Sequence, residues 1–168
     1  MMRKRFLPIL PAILLAGCQY EAPIADNQGI PIDTAVLGLW EPQPEGDQKP
    51  DPNNRMLILK YSDTEYLIHY PMGEDSIYYR GYPIKPGGVS CVQLEVIGTW
   101  EGPPGAREKK LYQVVNYAMK DGKLEVRTLN SDLFEDRSTT AELKQTFLDQ
   151  KDNPNLFRDP GIFRKVAK

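Results

Sequence analysis

The chain of 168 residues is poor in the side chains that most often carry catalysis or hold metal ions, with one histidine and two cysteines. It contains no cysteine–histidine spacing of the zinc type, no Gly-x-Ser-x-Gly, no His-Glu-x-x-His and no phosphate-binding loop. A nucleophile activated by a base would depend on His69, the only histidine. We therefore expect no cofactor, no metal site and no catalysis; the alternative is a hydrolase that uses His69.

Neither sign of charge dominates the chain. The 21 basic and 23 acidic residues are scattered without a long run of one sign, and the formal net charge is −2. A slightly acidic chain has no electrostatic attraction for a phosphate backbone, so we expect no nucleic-acid partner.

The apolar stretch at residues 6–15 is only ten residues long and is interrupted by Pro8 and Pro11. A helix that crosses a bilayer needs about 20 apolar residues, so this stretch is too short to span one. It follows basic residues at positions 3–5 and precedes small residues, which is the layout of a secretory signal. A buried N-terminal helix and a signal cut by an ordinary peptidase are the alternatives.

Leu15, Ala16, Gly17 and Cys18 close this stretch and resemble the lipobox of bacterial lipoproteins. The resemblance implies cleavage before Cys18, a diacylglyceryl thioether on its sulfur and an acylated amino group. Two or three acyl chains anchor a protein stably in a membrane, where a single chain gives only marginal binding. Gln19 follows the cysteine. In enteric lipoproteins an aspartate there favours the inner membrane, so the resemblance points to the outer membrane and a domain that faces the periplasm.

This reading divides the chain into three parts. We expect residues 1–17 to be a signal peptide, residues 18–35 a lipidated tether, and residues 36–168 a single β-rich domain. The tether region contains prolines and a glycine without sustained periodicity, and a flexible coil of this length spans roughly 20 Å. Loss of the leader removes three basic residues and no acidic ones, which moves the formal net charge from −2 to −5.

The remaining sequence alternates short apolar segments with turns, as in an antiparallel meander. Asp121-Gly122 is a strong signal for a two-residue hairpin. Thr139 and Glu142 form a capping box that begins a helix over residues 140–149. The predicted strands are 36–41, 56–61, 66–70, 77–84, 89–97, 111–119, 124–129 and 161–166. The fold class is mainly β: a meander that forms a small barrel or a highly curved sheet, with one C-terminal helix and a short final strand.

The Gly38-x-Trp40 sequence on the first strand resembles the opening of lipocalins and other calycin barrels. In that family the tryptophan closes one barrel end beneath a basic residue near the C-terminus, which implies this role for Trp40 and Arg164. One strand too few precedes the helix, so a half-barrel or an open, curved sheet is the alternative to a closed barrel. The resemblance also implies a possible role as carrier of an apolar small molecule or lipid.

Strand registers predict which side chains share a face. A two-residue loop at Asp63-Thr64 would pair Tyr61 with Tyr66, and side chains alternate faces along each strand. The predicted core face collects Leu57, Leu59, Tyr61, Tyr66, Ile68, Tyr70, Ile77, Tyr79, Val92, Leu94 and Val96.

The opposite face is the candidate binding patch for a polar ligand or an envelope partner, because aromatic and arginine side chains are enriched in interface hot spots. A plain solvated face is the alternative. The patch consists of His69, Tyr78, Arg80, Tyr82, Gln93 and Glu95. Cys91 shares this face; if Cys18 carries lipid, Cys91 has no intrachain partner and is either a buried strand residue or a reactive thiol.

Together these features favour a lipid-anchored envelope protein that acts without catalysis, by contact with envelope partners. The alternative is a lipocalin-like carrier of an apolar small molecule or lipid.

Metabolic labelling with a fatty-acid analogue tests the anchor. We expect the wild-type chain to incorporate the label and the Cys18→Ala variant to lack it, because the lipid is attached at that cysteine. Equal labelling of the two chains would contradict lipidation at Cys18.

Overall fold

A computed structural model describes residues 19–44, 46, 48–108 and 111–167. In this part of the chain eight antiparallel strands form a closed barrel, and each strand pairs with its neighbours in sequence. The strands are β1 (Gly38–Pro42), β2 (Met56–Lys60), β3 (Tyr66–His69), β4 (Ile77–Ile84), β5 (Cys91–Thr99), β6 (Tyr112–Lys120), β7 (Lys123–Leu129) and β8 (Phe157–Lys165). The helix α1 (Thr140–Gln150) lies between β7 and β8. The predicted fold class is confirmed.

The final strand closes the barrel and replaces the strand that the sequence lacks before the helix. On one side β8 pairs with β7, as in the pair of Leu124 with Phe163. On the other side it pairs with β1, where Pro42 faces the same Phe163. Because the ring is complete, the sheet has no free edge and the half-barrel alternative is wrong.

The barrel interior is an apolar core built from alternate residues of all eight strands. Its buried members are Val36, Trp40, Met56, Ile58, Tyr66, Ile68, Tyr70, Tyr79, Val92, Leu94, Val96, Val115, Leu124 and Phe163. The Asp121-Gly122 hairpin is confirmed, since Lys120 pairs with Lys123 across it.

The predicted register of β2 is wrong by one residue. Tyr66 pairs with Lys60 rather than Tyr61, because the loop is longer and the amides of Tyr61 and Ser62 both donate to the carbonyl of Glu65. A one-residue shift turns a strand over. Met56 and Ile58 therefore face the core, whereas Leu57 and Leu59, predicted inside, lie on the outer surface.

A second apolar core lies outside the barrel, against β4 to β7. The capping box at Thr139 and Glu142 is confirmed, and the helix it begins buries Leu143 and Phe147 completely. The cluster comprises Tyr20, Ile24, Tyr82, Ile84, Cys91, Val114, Leu129, Phe134, Leu143, Phe147 and Leu156. These strands therefore contribute buried apolar side chains to a core on each side of the sheet.

The sequence predicted a flexible tether at residues 18–35, but from residue 20 onward this segment is packed against the barrel. Residues 20–33, here called the strap, cross the outer surface of the barrel and bury Tyr20 and Ile24 in the second core. The amide of Tyr20 donates to the carbonyl of Tyr112 at 2.7 Å, and the amide of Ile32 donates to Asp63 at 3.0 Å. The strap has no regular period because its few apolar side chains fit into the second core singly. Residues 1–17 and Cys18 lie outside the described residues.

Two isoleucines test the packing of the strap. Ile24 is fully buried, whereas Ile162 on β8 is 43% exposed. We expect Ile24→Ala to lower the free energy of unfolding by about 2–5 kcal/mol and Ile162→Ala to change it by less than about 0.5 kcal/mol. Urea unfolding of the unlipidated chain measures both values. Equally small effects would show that the strap is not packed.

Candidate functional site

One candidate feature is the side chain of Trp40 on β1, which is fully buried. Its indole nitrogen donates to the carbonyl of Val36 at 2.8 Å. The basic group over its ring is Lys165, whose Nζ lies 5.2 Å from the ring centroid, and not the predicted Arg164. The strand register explains the difference, because Trp40 pairs with Lys165 while Arg164 pairs with Glu41. Arg164 instead donates from Nε to the Glu41 carboxylate at 2.7 Å.

The barrel interior contains a cavity of about 50 Å³. A cavity of about 150 Å³ holds benzene, and pockets for drug-sized ligands measure about 300–1,000 Å³. The interior is therefore nearly filled. The lining surface is apolar and is formed by Val36, Met56, Ile58, Tyr66, Ile68, Val92, Leu94, Val115, Tyr117, Leu124 and Val126.

The strap continues over one barrel end as a 3₁₀ turn, Thr34–Val36. The amide of Asp33 donates to the hydroxyl of Tyr66 at 2.7 Å, and the hydroxyl of Tyr117 donates to the Asp33 carboxylate at 3.3 Å. Burial raises the pKa of both tyrosines, so both hydroxyls are protonated at neutral pH. These bonds fix the strap to two tyrosines that line the cavity.

The predicted binding patch is divided in two by the strap. Gln93 is fully buried, and its side-chain oxygen accepts the amide of Ile24 at 2.8 Å. Tyr82 is also buried, and its hydroxyl donates to the carbonyl of Ala25 at 3.1 Å. Burial raises the pKa of Tyr82 to about 12. Both residues therefore hold the strap. The prediction that they lie on an open binding patch is wrong, because the strap covers them.

His69 and Tyr78 remain on the uncovered part of the outer surface. Their rings are stacked, with centroids 4.3 Å apart and planes 14° from parallel. Burial lowers the pKa of His69, which is therefore neutral at pH 7. In the sheet His69 lies between Tyr78 and Leu57.

Leu57 and Leu59, which the sequence analysis had placed in the core, join this pair together with Leu67. Leu59 is 44% exposed and pairs with the half-buried Leu67. This pair lies two residues along the strands from the pair of Leu57 with His69. Leu57, Leu59, Leu67, His69 and Tyr78 form one contiguous surface, here called the outer patch. The sequence did not show which side of the sheet Leu57 and Leu59 occupy, because both alternating sets of residues on β2 are apolar.

Arg80 and Glu95, the other predicted patch residues, face each other on β4 and β5. Arg80 forms its ion pair with the buried Glu65, which also accepts from the side chain of Asn27 at 2.9 Å. The hydrogen bond from Arg80 lowers the pKa of the Glu65 carboxyl. Glu65 thus links the strap to the border of the outer patch.

His69 and Cys91 are not brought together. Cys91 lies at the start of β5, where it pairs with Ile84 in the second core, and burial raises the pKa of its thiol to about 12. Within residues 19–167, the described positions include no group of three or more acidic, histidine or cysteine side chains placed to hold a metal ion. No helix in the same part of the chain has the length and apolar character needed to span a bilayer.

No protein-family model, curated protein or solved structure matches this chain. The molecule is therefore defined by its geometry: a closed eight-stranded antiparallel meander barrel with a nearly filled interior, an outer helix and a strap.

The Glu65 carboxylate makes stability depend on pH. Its pKa is lowered in the folded state, so its stabilisation is present above the ordinary value of 4.5 and is lost as the pH falls through the folded pKa. We expect Glu65→Gln to destabilise the barrel at about pH 7 and to reduce the loss of stability between about pH 7 and about pH 3.

The more exposed pair of Glu125 with Arg127 supplies the control, because Glu125→Gln should change little. Urea unfolding at both pH values gives the comparison. Parallel pH dependence in the wild type and Glu65→Gln would contradict the assigned role of Glu65.

Proposed function

We propose that this protein is a lipid-anchored lipoprotein of the bacterial cell envelope, held at the outer membrane by Cys18 and facing the periplasm. It acts without catalysis, by binding an envelope partner through the outer patch. The anchor is supported by the lipobox at residues 15–18. The observation that carries the binding role is an exposed apolar surface on a barrel whose interior is nearly filled.

The outer patch is not needed to build either core. Part of the outer face of β4 to β7 is covered by α1 and the strap, whereas the described residues place no element over the leucines of β2 and β3. Exposed contiguous apolar surfaces mark interaction sites on soluble domains.

The border of the patch is polar. Lys60 and Asp63 form an ion pair at one side, and Arg80 with Glu65 forms another. An apolar centre with a charged rim is the usual anatomy of a protein interface. The stacked His69 and Tyr78 add aromatic side chains of the kind enriched among hot spots.

A carrier function is the second candidate, supported by the apolar walls of the interior cavity. At about 50 Å³ the cavity is smaller than the space that benzene occupies in a comparable site. An apolar ligand of lipid size would have to displace side chains such as Tyr66 and Tyr117, whose hydroxyls are hydrogen bonded to Asp33. The nearly filled interior therefore supports the partner-binding role better.

Site-specific photo-cross-linking in intact cells tests the partner. A benzophenone amino acid in place of Leu59 should form a discrete adduct with an envelope protein, and Leu57→Asp in the same chain should abolish it. The same probe at Ile162, which is 43% exposed on β8, supplies the matched control and should give no such adduct. Adducts of equal yield at the two positions, or none at Leu59, would contradict the proposed role of the outer patch.

A further inference from the structure

The outer patch continues onto two further strands. Leu57 pairs with Leu39 on β1, and the amide of Val166, which follows β8, donates to the carbonyl of Leu39 at 2.9 Å. Leu39 lies on the outer face because its neighbour Trp40 faces the core. Both Leu39 and Val166 are half-buried. An apolar row therefore extends from the outer patch across β1 to the end of β8.

A row of charged side chains lies beside this apolar row. Glu41 is two residues from Leu39 on β1, which places it on the same face and roughly 7 Å along the strand. Its carboxylate accepts from Nε of Arg164 at 2.7 Å and from Arg55 at 3.3 Å. The arginines belong to β8 and to the residue before β2, so the charged row follows the apolar row across three neighbouring strands.

Two lysines continue the charged row onto β7 and β6. Lys123 lies directly opposite Arg164, and Lys120 lies directly opposite Lys123 on its other side. Neither lysine forms an ion pair with a residue that the structure describes, since the nearby Glu125 pairs with Arg127. The complete set, here called the basic row, consists of Lys120, Lys123, Arg164, Glu41 and Arg55.

The stability of the sheet does not explain the basic row. Like charges directly opposite one another destabilise a sheet, whereas a carboxylate at position 123 would face Arg164 and stabilise it. The basic row has a formal charge of +3, which falls to +2 when Asp121 in the adjoining hairpin is included, and the whole chain has a formal charge of −2. A positive surface on an acidic chain complements an anionic partner.

Arg164 offers donors to such a partner. Its side chain is 57% exposed and donates from Nε to Glu41, while its two terminal nitrogens have no acceptor among the described residues. The planar fork of a guanidinium matches the two oxygens of a carboxylate. Lys123 on the neighbouring strand adds a second positive charge, so a carboxylate that approaches from solvent is attracted by both.

The basic row and the outer patch fit within a single protein interface. Lys123 and Leu57 are three strand spacings apart, roughly 15 Å across the sheet. A standard interface covers about 800 Å² on each partner, which is enough to include both. The surface between them curves strongly, because the three steps follow a closed ring of eight strands. A protein surface can follow such a curve, whereas a planar bilayer cannot.

We infer that the outer patch and the basic row form one interface, and that the envelope partner meets it with carboxylates placed beside its apolar contact residues. This inference rests on the proposed binding role of the outer patch and names the chemistry of the partner. The basic row supplies the charged rim on the β8 side. Ile162, two residues before Arg164 on β8, lies beyond this rim.

Charge reversal at Lys123 tests the inference. In the chain that carries the benzophenone amino acid at Leu59, we expect Lys123→Glu to lower the yield of the discrete adduct about tenfold, because partner carboxylates then meet a carboxylate. Lys123→Gln should give a smaller loss. Lys144→Glu makes the same charge change at an exposed position of α1 and should leave the yield unchanged.

Urea unfolding separates lost binding from lost structure. Lys123→Glu should be at least as stable as the wild type, because the introduced carboxylate faces Arg164 and Lys120. A lower adduct yield from a chain of undiminished stability then reports binding. If Lys123→Glu is less stable than the wild type, Lys123→Gln decides, and an adduct yield equal to that of the wild type overturns the inference.

A second probe distinguishes a protein partner from a membrane. A benzophenone amino acid in place of Leu39, between the basic row and the outer patch, should attach to the same envelope protein as the probe at Leu59. Attachment to a phospholipid would overturn the inference and assign the basic row to a lipid surface. Equal adduct yields in Lys123→Glu and Lys144→Glu would overturn it as well. Absence of the Leu59 adduct with an intact basic row would instead contradict the proposed function itself.

Discussion

The pairing of β8 with β1 is the constraint on which the rest of the structure depends. It completes the ring of strands and leaves no edge that another chain could extend. It also brings Lys165 over the buried Trp40. Because closure fills the interior almost completely, the interior has little room for a ligand, and recognition is expected on the outer surface.

That outer surface is divided into two unequal parts. Strands β4 to β7 carry a second core in which α1 and the strap bury Ile24, Leu143 and Phe147. The outer face of β2 and β3 has no such cover among the described residues, although it presents Leu57, Leu59 and Leu67. The strap is hydrogen bonded to Tyr112 near the covered part and to Asp63 at the border of the outer patch, so it links the two parts.

The sequence predicted the features that depend on local chemistry. Turn residues and the Thr139–Glu142 capping box located most strands and the helix, because these signals act over a few residues. The register of β2 was not predictable from alternation, since Ile58 and Leu59 are equally apolar. Which of Arg164 and Lys165 lies over Trp40 likewise depends on the register between β1 and β8, two strands far apart in the chain. The packing of the strap could not be predicted, because Tyr20 and Ile24 are isolated apolar residues that are buried against a surface formed by other elements.

If the outer patch binds a partner, it is covered in the cell and open in the isolated barrel. Hydroxyl-radical footprinting of the protein in intact envelopes and after purification measures this directly. The account predicts that Leu59 and Tyr78 are oxidised in the purified protein and protected in the envelope, while the similarly exposed Ile162 is oxidised alike in both. Equal oxidation of Leu59 and Tyr78 in the two preparations would contradict the claim.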